Sequence, residues 1–277
     1  MALGAERKRP RSGRAHGAEG ERSRVGGLED RAPEAAHVAP DSRFESSAGD
    51  PLVELRDVTK IYGEGDVAVR ALDGIDLSIA SGEFVSVMGP SGSGKSTCMN
   101  ILGCLDHPTS GSYRFRGVEV GNISRHQRAL LRRNYLGFVF QGYNLLKRTT
   151  ALENLELPLL YRRVPSAERR ARALRALASV GLEDRAHHTA SELSGGQQQR
   201  VAIARATVTE PELLLADEPT GNLDSARSRE IMDLLLRLNR EQGVGIVMVT
   251  HEAEMAAYAS RIVQFRDGRI VSEGAAS

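Results

Sequence analysis

The string Gly89-Pro90-Ser91-Gly92-Ser93-Gly94-Lys95-Ser96-Thr97 has the residue types needed to hold a polyphosphate. Glycine lets successive backbone N–H groups turn inward around an anion, and a helix opening directly afterwards points its positive end at the same place. The string satisfies every position of the phosphate-loop pattern G-x-x-x-x-G-K-[ST]. In that pattern Lys95 contacts the β- and γ-phosphates and Ser96 ligates Mg²⁺, with Thr97 assisting at the α-phosphate. A second chemical element is the pair Asp217-Glu218, which follows the apolar run Leu213-Leu-Leu-Ala216. An Asp at a strand end can hold Mg²⁺, and the next carboxylate can orient and polarise an attacking water. The loop alone predicts a nucleotide; the loop with Glu218 predicts its hydrolysis.

A third element, Leu193-Ser194-Gly195-Gly196-Gln197, is another anion site. Ser194 and two glycines precede a helix starting near Gln197, so N–H groups and the helix dipole face outward together. One nucleotide does not need two γ-phosphate sites on one chain. The economical arrangement is a head-to-tail homodimer in which this tip caps ATP held by the other subunit.

These residues need scaffolding, and the hydropathy pattern supplies it. Leu52, Val53, Leu55 and Val58 read as a first strand, and Phe84-Val85 with Val87 as a buried strand ending at Gly89. Apolar bursts at 136–140, 213–216 and 246–249 alternate with helical stretches, which predicts an α/β fold with a largely parallel sheet. Over 165–180, Leu174, Leu177 and Val180 share a predicted helix face; over 225–240, Ile231, Leu234, Leu235 and Leu238 do the same. Cys98 and Cys104 fall six apart in one predicted helix, poor geometry for a disulfide, and read as packing residues of a reducing compartment.

Composition bounds the rest. A net charge of +1 excludes a general nucleic-acid binder. No run approaches the roughly 18 apolar residues of a membrane span, and no apolar h-region follows the first basic residues, so a cytoplasmic location is expected. Residues 1–50 carry almost no large apolar side chains and read as a disordered tail. Their cluster Arg7, Lys8, Arg9, Arg11, Arg14 reads as solvated, with contact to anionic lipid as the alternative.

Over roughly residues 52–273 the chain resembles the ABC ATPase family. The resemblance implies a P-loop NTPase with a RecA-like core sheet, an N-terminal antiparallel β subdomain and an inserted helical subdomain at about 143–200, within a domain spanning 51–277. It implies roles for further residues. Gln141, after Leu136-Gly-Phe-Val-Phe140, matches the glutamine linking the Mg²⁺ site to a transmembrane partner. Gly221-Asn222-Leu223-Asp224 looks like the loop lying across the dimer interface. His251, after Val247-Met-Val-Thr250, matches the histidine that contacts the γ-phosphate, and Tyr62 the aromatic that stacks on adenine.

Finer strings resemble the branch of macrolide exporters, lipoprotein-release ATPases and the cell-division ATPase. They include Asn100-Ile-Leu-Gly-Cys-Leu-Asp106, Gly137-Phe-Val-Phe-Gln141, Ser194 to Arg205 and Ala216 to Asp224. Gly142-Tyr143 departs from a common Ser-Phe pair, Thr207 from Leu, and Lys147-Arg148 from a Pro-containing turn. No membrane segment is legible to residue 277, so the resemblance implies a separate transmembrane permease, with peripheral attachment at the cytoplasmic membrane face. Leu155, Leu159 and Tyr161 are the residues expected to grip it. The alternatives are cell-division signalling without solute transport, a soluble ABC ATPase of translation or DNA repair, and a scaffold without turnover.

Overall fold

The computed structural model describes residues 50–276; the disordered tail and basic cluster expected over residues 1–50 lie, Asp50 apart, outside the described residues. The first strand is longer than its apolar start suggests. β1 (Val53–Tyr62) buries Val53 and Leu55, shifts register before Val58, and then buries Val58 and Lys60. Asp57 sits at the shift with φ 48°, so the strand keeps its inward face after an inserted residue. β1 pairs antiparallel with β2 (Val69–Ile79), through a hairpin carrying a short 3-10 turn at Gly65–Val67, and with β4 (Ser110–Phe115). β5 (Val118–Glu119) completes a four-stranded antiparallel sheet of order β2-β1-β4-β5.

The second sheet has the order β10-β9-β3-β8-β7-β6, from β3 (Phe84–Met88), β6 (Leu136–Phe140), β7 (Leu213–Asp217), β8 (Gly245–Val249), β9 (Arg261–Arg266) and β10 (Arg269–Ala275). Its pairs are parallel except β9 with β10. The period of two along the central strands divides the molecule into two cores. Leu213 and Leu215, with Val247 and Val249, meet the antiparallel sheet and α1 (Lys95–Leu102). Leu214 and Ala216, with Ile246 and Met248, meet α5 (Gly195–Thr207) and α6 (Ser225–Gln242) on the other face. The α6 stripe Ile231, Leu234, Leu235, Leu238 is buried there as its spacing predicts.

Three expectations change. Cys104 is not in the helix of Cys98: α1 ends at Leu102, and Cys104 takes φ 52° in the following turn. Both thiols are buried and unpaired by any disulfide, and burial pushes Cys98 up to about 12 and Cys104 up to about 11, so neither offers a thiolate. On α4 (Ser166–Ser179) the inward residues are Ala173 and Leu177, with Val180 just beyond, while Leu174 turns out to water. On α3 (Ala151–Tyr161), Leu155 and Leu159 are each 0% exposed. They pack among α3, α4 and α5, where each contributes about 1.5–3 kcal/mol of burial, and cannot reach a partner. The outward residues of that region are Leu146, Leu160 and Tyr161.

Two further helices complete the frame: α2 (Arg125–Tyr135), opened by a reciprocal Ser124/Gln127 cap, and the single turn α7 (Ala253–Ala256) after β8.

Candidate active site

Every predicted nucleotide-handling strand ends at the same edge. Val87, Val249, Asp217 and Phe140 are register partners across β3, β8, β7 and β6. The residues that follow, Met88-Gly89, Thr250-His251, Glu218 and Gln141, therefore emerge side by side at the carboxyl ends of parallel strands, where open α/β sheets place ligands.

From β3 the chain turns sharply into α1. Gly89 has φ 148°, and a Cβ there would lie 2.2 Å from the Phe265 carbonyl oxygen. Gly94, at φ 103°, is the N-cap of α1, and a Cβ on it would lie 2.6 Å from the Ala71 carbonyl oxygen. Both positions exclude any side chain, so glycine is required by approach as well as by dihedral. Lys95 curls back over the loop, its Nζ donating to Gly89 O (2.8 Å) and Pro90 O (2.7 Å). A cleft of about 400 Å³ is walled by Gly92, Gly94, Lys95, Ser96 and Thr97 on one side and by Val69–Ala71, Asp267 and Gly268 on the other. Tyr62 is the register partner of Val69 in that wall. A larger cleft of about 630 Å³, bordered by Arg172, Arg175, Glu210 and Glu212, contains none of the predicted site residues.

Beside the loop stand the acids. Asp217 is half-buried; burial first and the neighbouring Glu218 second raise its pKa, against the pull of Lys95. Glu218 sits at φ 43°, its N–H donating to Val249 O (2.9 Å). Its Oε1 lies 3.0 Å from His251 Nδ1. Gly221 closes the group: a Cβ on it would meet Gln141 Nε2 at 2.7 Å and Glu218 Oε2 at 3.3 Å. Asn222 Nδ2 donates to Gln141 O (2.8 Å). Gln141, Glu218, Gly221 and His251 are thus one constellation drawn from three loops.

Ser194 is the N-cap of α5. Its Oγ accepts from the Gln197 N–H (3.4 Å), and Gln197 Oε1 accepts from the Ser194 N–H (2.9 Å). The helix therefore begins at Gly195, two residues before the expected start, with Gln197 as the reciprocal partner of the Ser194 cap. None of 194–197 lines the nucleotide cleft of the same chain. Gly195 instead faces Tyr143 and Leu223, and Gly196 faces Arg227, so the tip sits beside the Gln141 loop and the start of α6. Asp224 caps α6 by accepting from the Arg227 N–H (3.0 Å).

Two residues of the string Ser194 to Arg205 support these loops, a role their types and spacing do not announce. Arg205 on α5 donates to Tyr143 O (3.0 Å) and Asn144 O (2.6 Å), two residues at φ 60° and 48°. Gln199, fully buried, donates to Pro219 O (2.7 Å), next to Glu218. The polar run 197–200 could have flagged Gln199, while Arg205 stands alone between Ala204 and Ala206.

The ABC transporter family model matches residues 72–221. The macrolide export ATP-binding/permease protein MacB of Azoarcus sp. (strain BH72) is 53% identical over 232 residues, which are 84% of this chain and 35% of that protein. The chain thus spans about a third of the length of the MacB relatives it matches. An uncharacterized ABC transporter ATP-binding protein of Thermotoga maritima is 53% identical over 79% of this chain and 93% of its own length. Among solved structures, the dimeric post-hydrolysis ATP-binding cassette MJ0796 bound to ADP and Pi is 46% identical. It aligns with a TM-score of 0.75 over 81% of this chain and 99% of that one. With the phosphate loop, the convergent strand ends and a whole cassette matched nearly end to end, this chain belongs to the ABC transporter family, as one of its ATP-binding cassettes.

Proposed function

We propose that the protein is the ATP-hydrolysing engine of a membrane transport complex, working as a homodimer that traps ATP between the phosphate loop of one chain and the Ser194-Gly195-Gly196 tip of the other. The observation that carries this reading is the shared strand edge: the Gln141, Glu218 and His251 group emerges beside the phosphate loop at the carboxyl ends of the parallel strands, while the tip Ser194-Gly195-Gly196 opens a different helix, α5, and lines no part of the phosphate-loop cleft. The similar cassette MJ0796, whose solved structure is dimeric, supports the same reading.

In the proposed cycle Tyr62 stacks on adenine and the loop from Gly89 to Thr97 holds the phosphates. Glu218 orients water in line with the γ-phosphorus, and His251 and Lys95 stabilise the spreading charge. The oxygen donors Ser96, Asp217 and Gln141 fit Mg²⁺, a hard ion that binds one or two carboxylates together with substrate phosphates; burial first and Glu218 second disfavour a charged Asp217, a cost that a bound cation would offset. When bound, Mg²⁺ would neutralise phosphate charge there. The segment about 143–200, which contains α3, α4 and the first turns of α5, acts as the helical subdomain. Its exposed Leu146 and Leu160, which line a hollow of about 250 Å³ bordered also by Glu153 and Glu156, with Tyr161 next to Leu160 in sequence, would receive a cytoplasmic segment of a transmembrane permease. The attachment puts the engine at the cytoplasmic membrane face. Export is the direction suggested by the macrolide-export names of the relatives.

Glu218→Gln tests the core of this reading. The variant should bind ATP, dimerise by light scattering and release phosphate very slowly. A variant that stays monomeric at saturating nucleotide, alone and with its permease, would sink the two-chain sandwich.

A further inference from the structure

Tyr62 is 41% exposed at the end of β1, yet its ring is held from two directions. Its phenol donates to Asp106 Oδ2 (2.8 Å), and the Lys60 ammonium lies 4.9 Å from the ring centroid. Lys60, two residues earlier on the same face of β1, is almost fully buried and donates to Asp106 Oδ1 (2.7 Å) and to His107 O (2.9 Å). Asp106 is fixed in turn. Its N–H donates to Asn100 O (3.1 Å), and its Oδ1 accepts from the His107 N–H (2.7 Å). Burial would raise the Asp106 pKa, but the bonds from Lys60, His107 and Tyr62 outweigh it and hold the carboxyl below its ordinary value. It is therefore a charged acceptor at neutral pH.

Asp106 and the phosphate loop are mounted on one element. The loop opens α1, and Asp106 closes the turn that ends it, with Leu105 and Asp106 both bonded back to Asn100. A rigid helix thus connects the phosphate cradle to the anchor of the ring.

We infer that Asp106, supported by Lys60, is a positioning residue for nucleobase recognition: it holds Tyr62 in the orientation that receives adenine before ATP arrives. The Lys60 ammonium takes one face of the ring, and the proposed stacking of the base is on the opposite one. Ordering a free side chain on binding costs roughly two- to tenfold in affinity, and the anchor removes that cost. The inference rests on the stacking role proposed above for Tyr62.

The test measures dissociation constants of the full chain for ATP and for inorganic tripolyphosphate, which has no base to stack. Tyr62→Ala should weaken ATP roughly tenfold. Tyr62→Phe keeps the ring and loses the anchor, and should weaken ATP about fivefold. Asp106→Ala should do the same, and the double variant Tyr62→Phe/Asp106→Ala should lose no more than the larger single loss. Tripolyphosphate binding should be unchanged throughout. If Tyr62→Ala binds ATP normally, the stacking reading fails and the inference with it. If Tyr62→Ala is weakened but Tyr62→Phe is not, stacking stands and the anchor is overturned. Additive losses, or an equal loss for tripolyphosphate, also overturn it. Should Asp106→Ala fail to fold, Tyr62→Phe, which leaves the Lys60–Asp106 pair intact, decides alone.

Discussion

His251 and Glu218 meet at 3.0 Å, Nδ1 to Oε1, although 33 residues separate them. A carboxylate oxygen can only accept, so the proton of that bond belongs to Nδ1. Nε2 is then the nitrogen left to face a phosphate, and it must carry a proton of its own to donate to a phosphate oxygen. The two side chains form one unit, because each orients the other at the ends of adjacent strands. Glu218→Gln and His251→Ala should each lower kcat about 10²- to 10³-fold, and the double variant should lose little more than the worse single one. Phosphate release by the four proteins at saturating ATP measures this; losses that multiply would show that the residues act independently.

Asp217 predicts a pH effect with a definite sign. Burial and the adjacent Glu218 raise its pKa above the ordinary 3.8. The folded chain therefore holds this proton more tightly than the unfolded one, and the group's contribution to stability falls as pH rises from below 3.8 through the raised folded value. Asp217→Asn removes the charge without changing the shape. The nucleotide-free variant should melt higher than the parent at neutral pH, and the difference should shrink to nothing as the pH falls below the ordinary carboxylate range. The same variant should lose ATP turnover. Thermal melts of nucleotide-free protein across pH check the sign, and a variant that melts lower at pH 7 would refute it.

The strings that announced the chemistry are those whose function is a backbone shape in consecutive residues: the turn at Gly89 and Gly94, and the helix tip at Ser194. The phosphate loop needed only a strand before it and a helix after it, and the strand was legible as an apolar burst. What stayed hidden depends on partners distant in sequence. Asp106 reaches Tyr62 across 44 residues, and Arg205 reaches Tyr143 across 62. Periodicity also cannot say which of two apolar stripes faces inward. On α3, Leu155 and Leu159 read as available and are core, while the next residue, Leu160, is the one in water. The burial of Leu155 and Leu159 against α4 and α5 settled that choice, and no local signal in Ala151–Tyr161 carries it.

Arg205 holds a strained loop in place. Tyr143 and Asn144 both sit in the left-handed region, and the partly buried guanidinium, its pKa lowered by desolvation, donates to both carbonyls. Two consecutive non-glycine residues in that region persist only where the surroundings over-determine them. Arg205→Ala should destabilise the protein by about 2–3 kcal/mol and release the loop after Gln141. Hydrogen exchange over residues 141–148 should quicken more than exchange in β7 or β8. Arg205→Lys, with one compact charge in place of a fork, should recover only part of the loss. Uniform acceleration across the chain would mean that Arg205 serves the fold in general and not this loop.

Leu160 and Tyr161 are 51% and 67% exposed at the end of α3, and Leu146 is 48% exposed nearby. Leu146 and Leu160 line one hollow, edged by Glu153 and Glu156, and with Tyr161 exposed next to Leu160 they mark a surface that gains by being covered. Leu160→Asp and Tyr161→Asp change nothing buried, so both should melt within about 0.5 kcal/mol of the parent and bind ATP as tightly. Each should weaken co-purification with the permease at least tenfold if the segment is a docking anchor, since anchors buried at an interface cost about 2 kcal/mol or more when lost. Leu155→Ala is the contrasting variant. It opens a cavity in the core, and should cost about 2–5 kcal/mol of stability, reducing permease binding only in proportion to the unfolded fraction. Undiminished capture of the permease by both aspartate variants would move the docking surface away from α3.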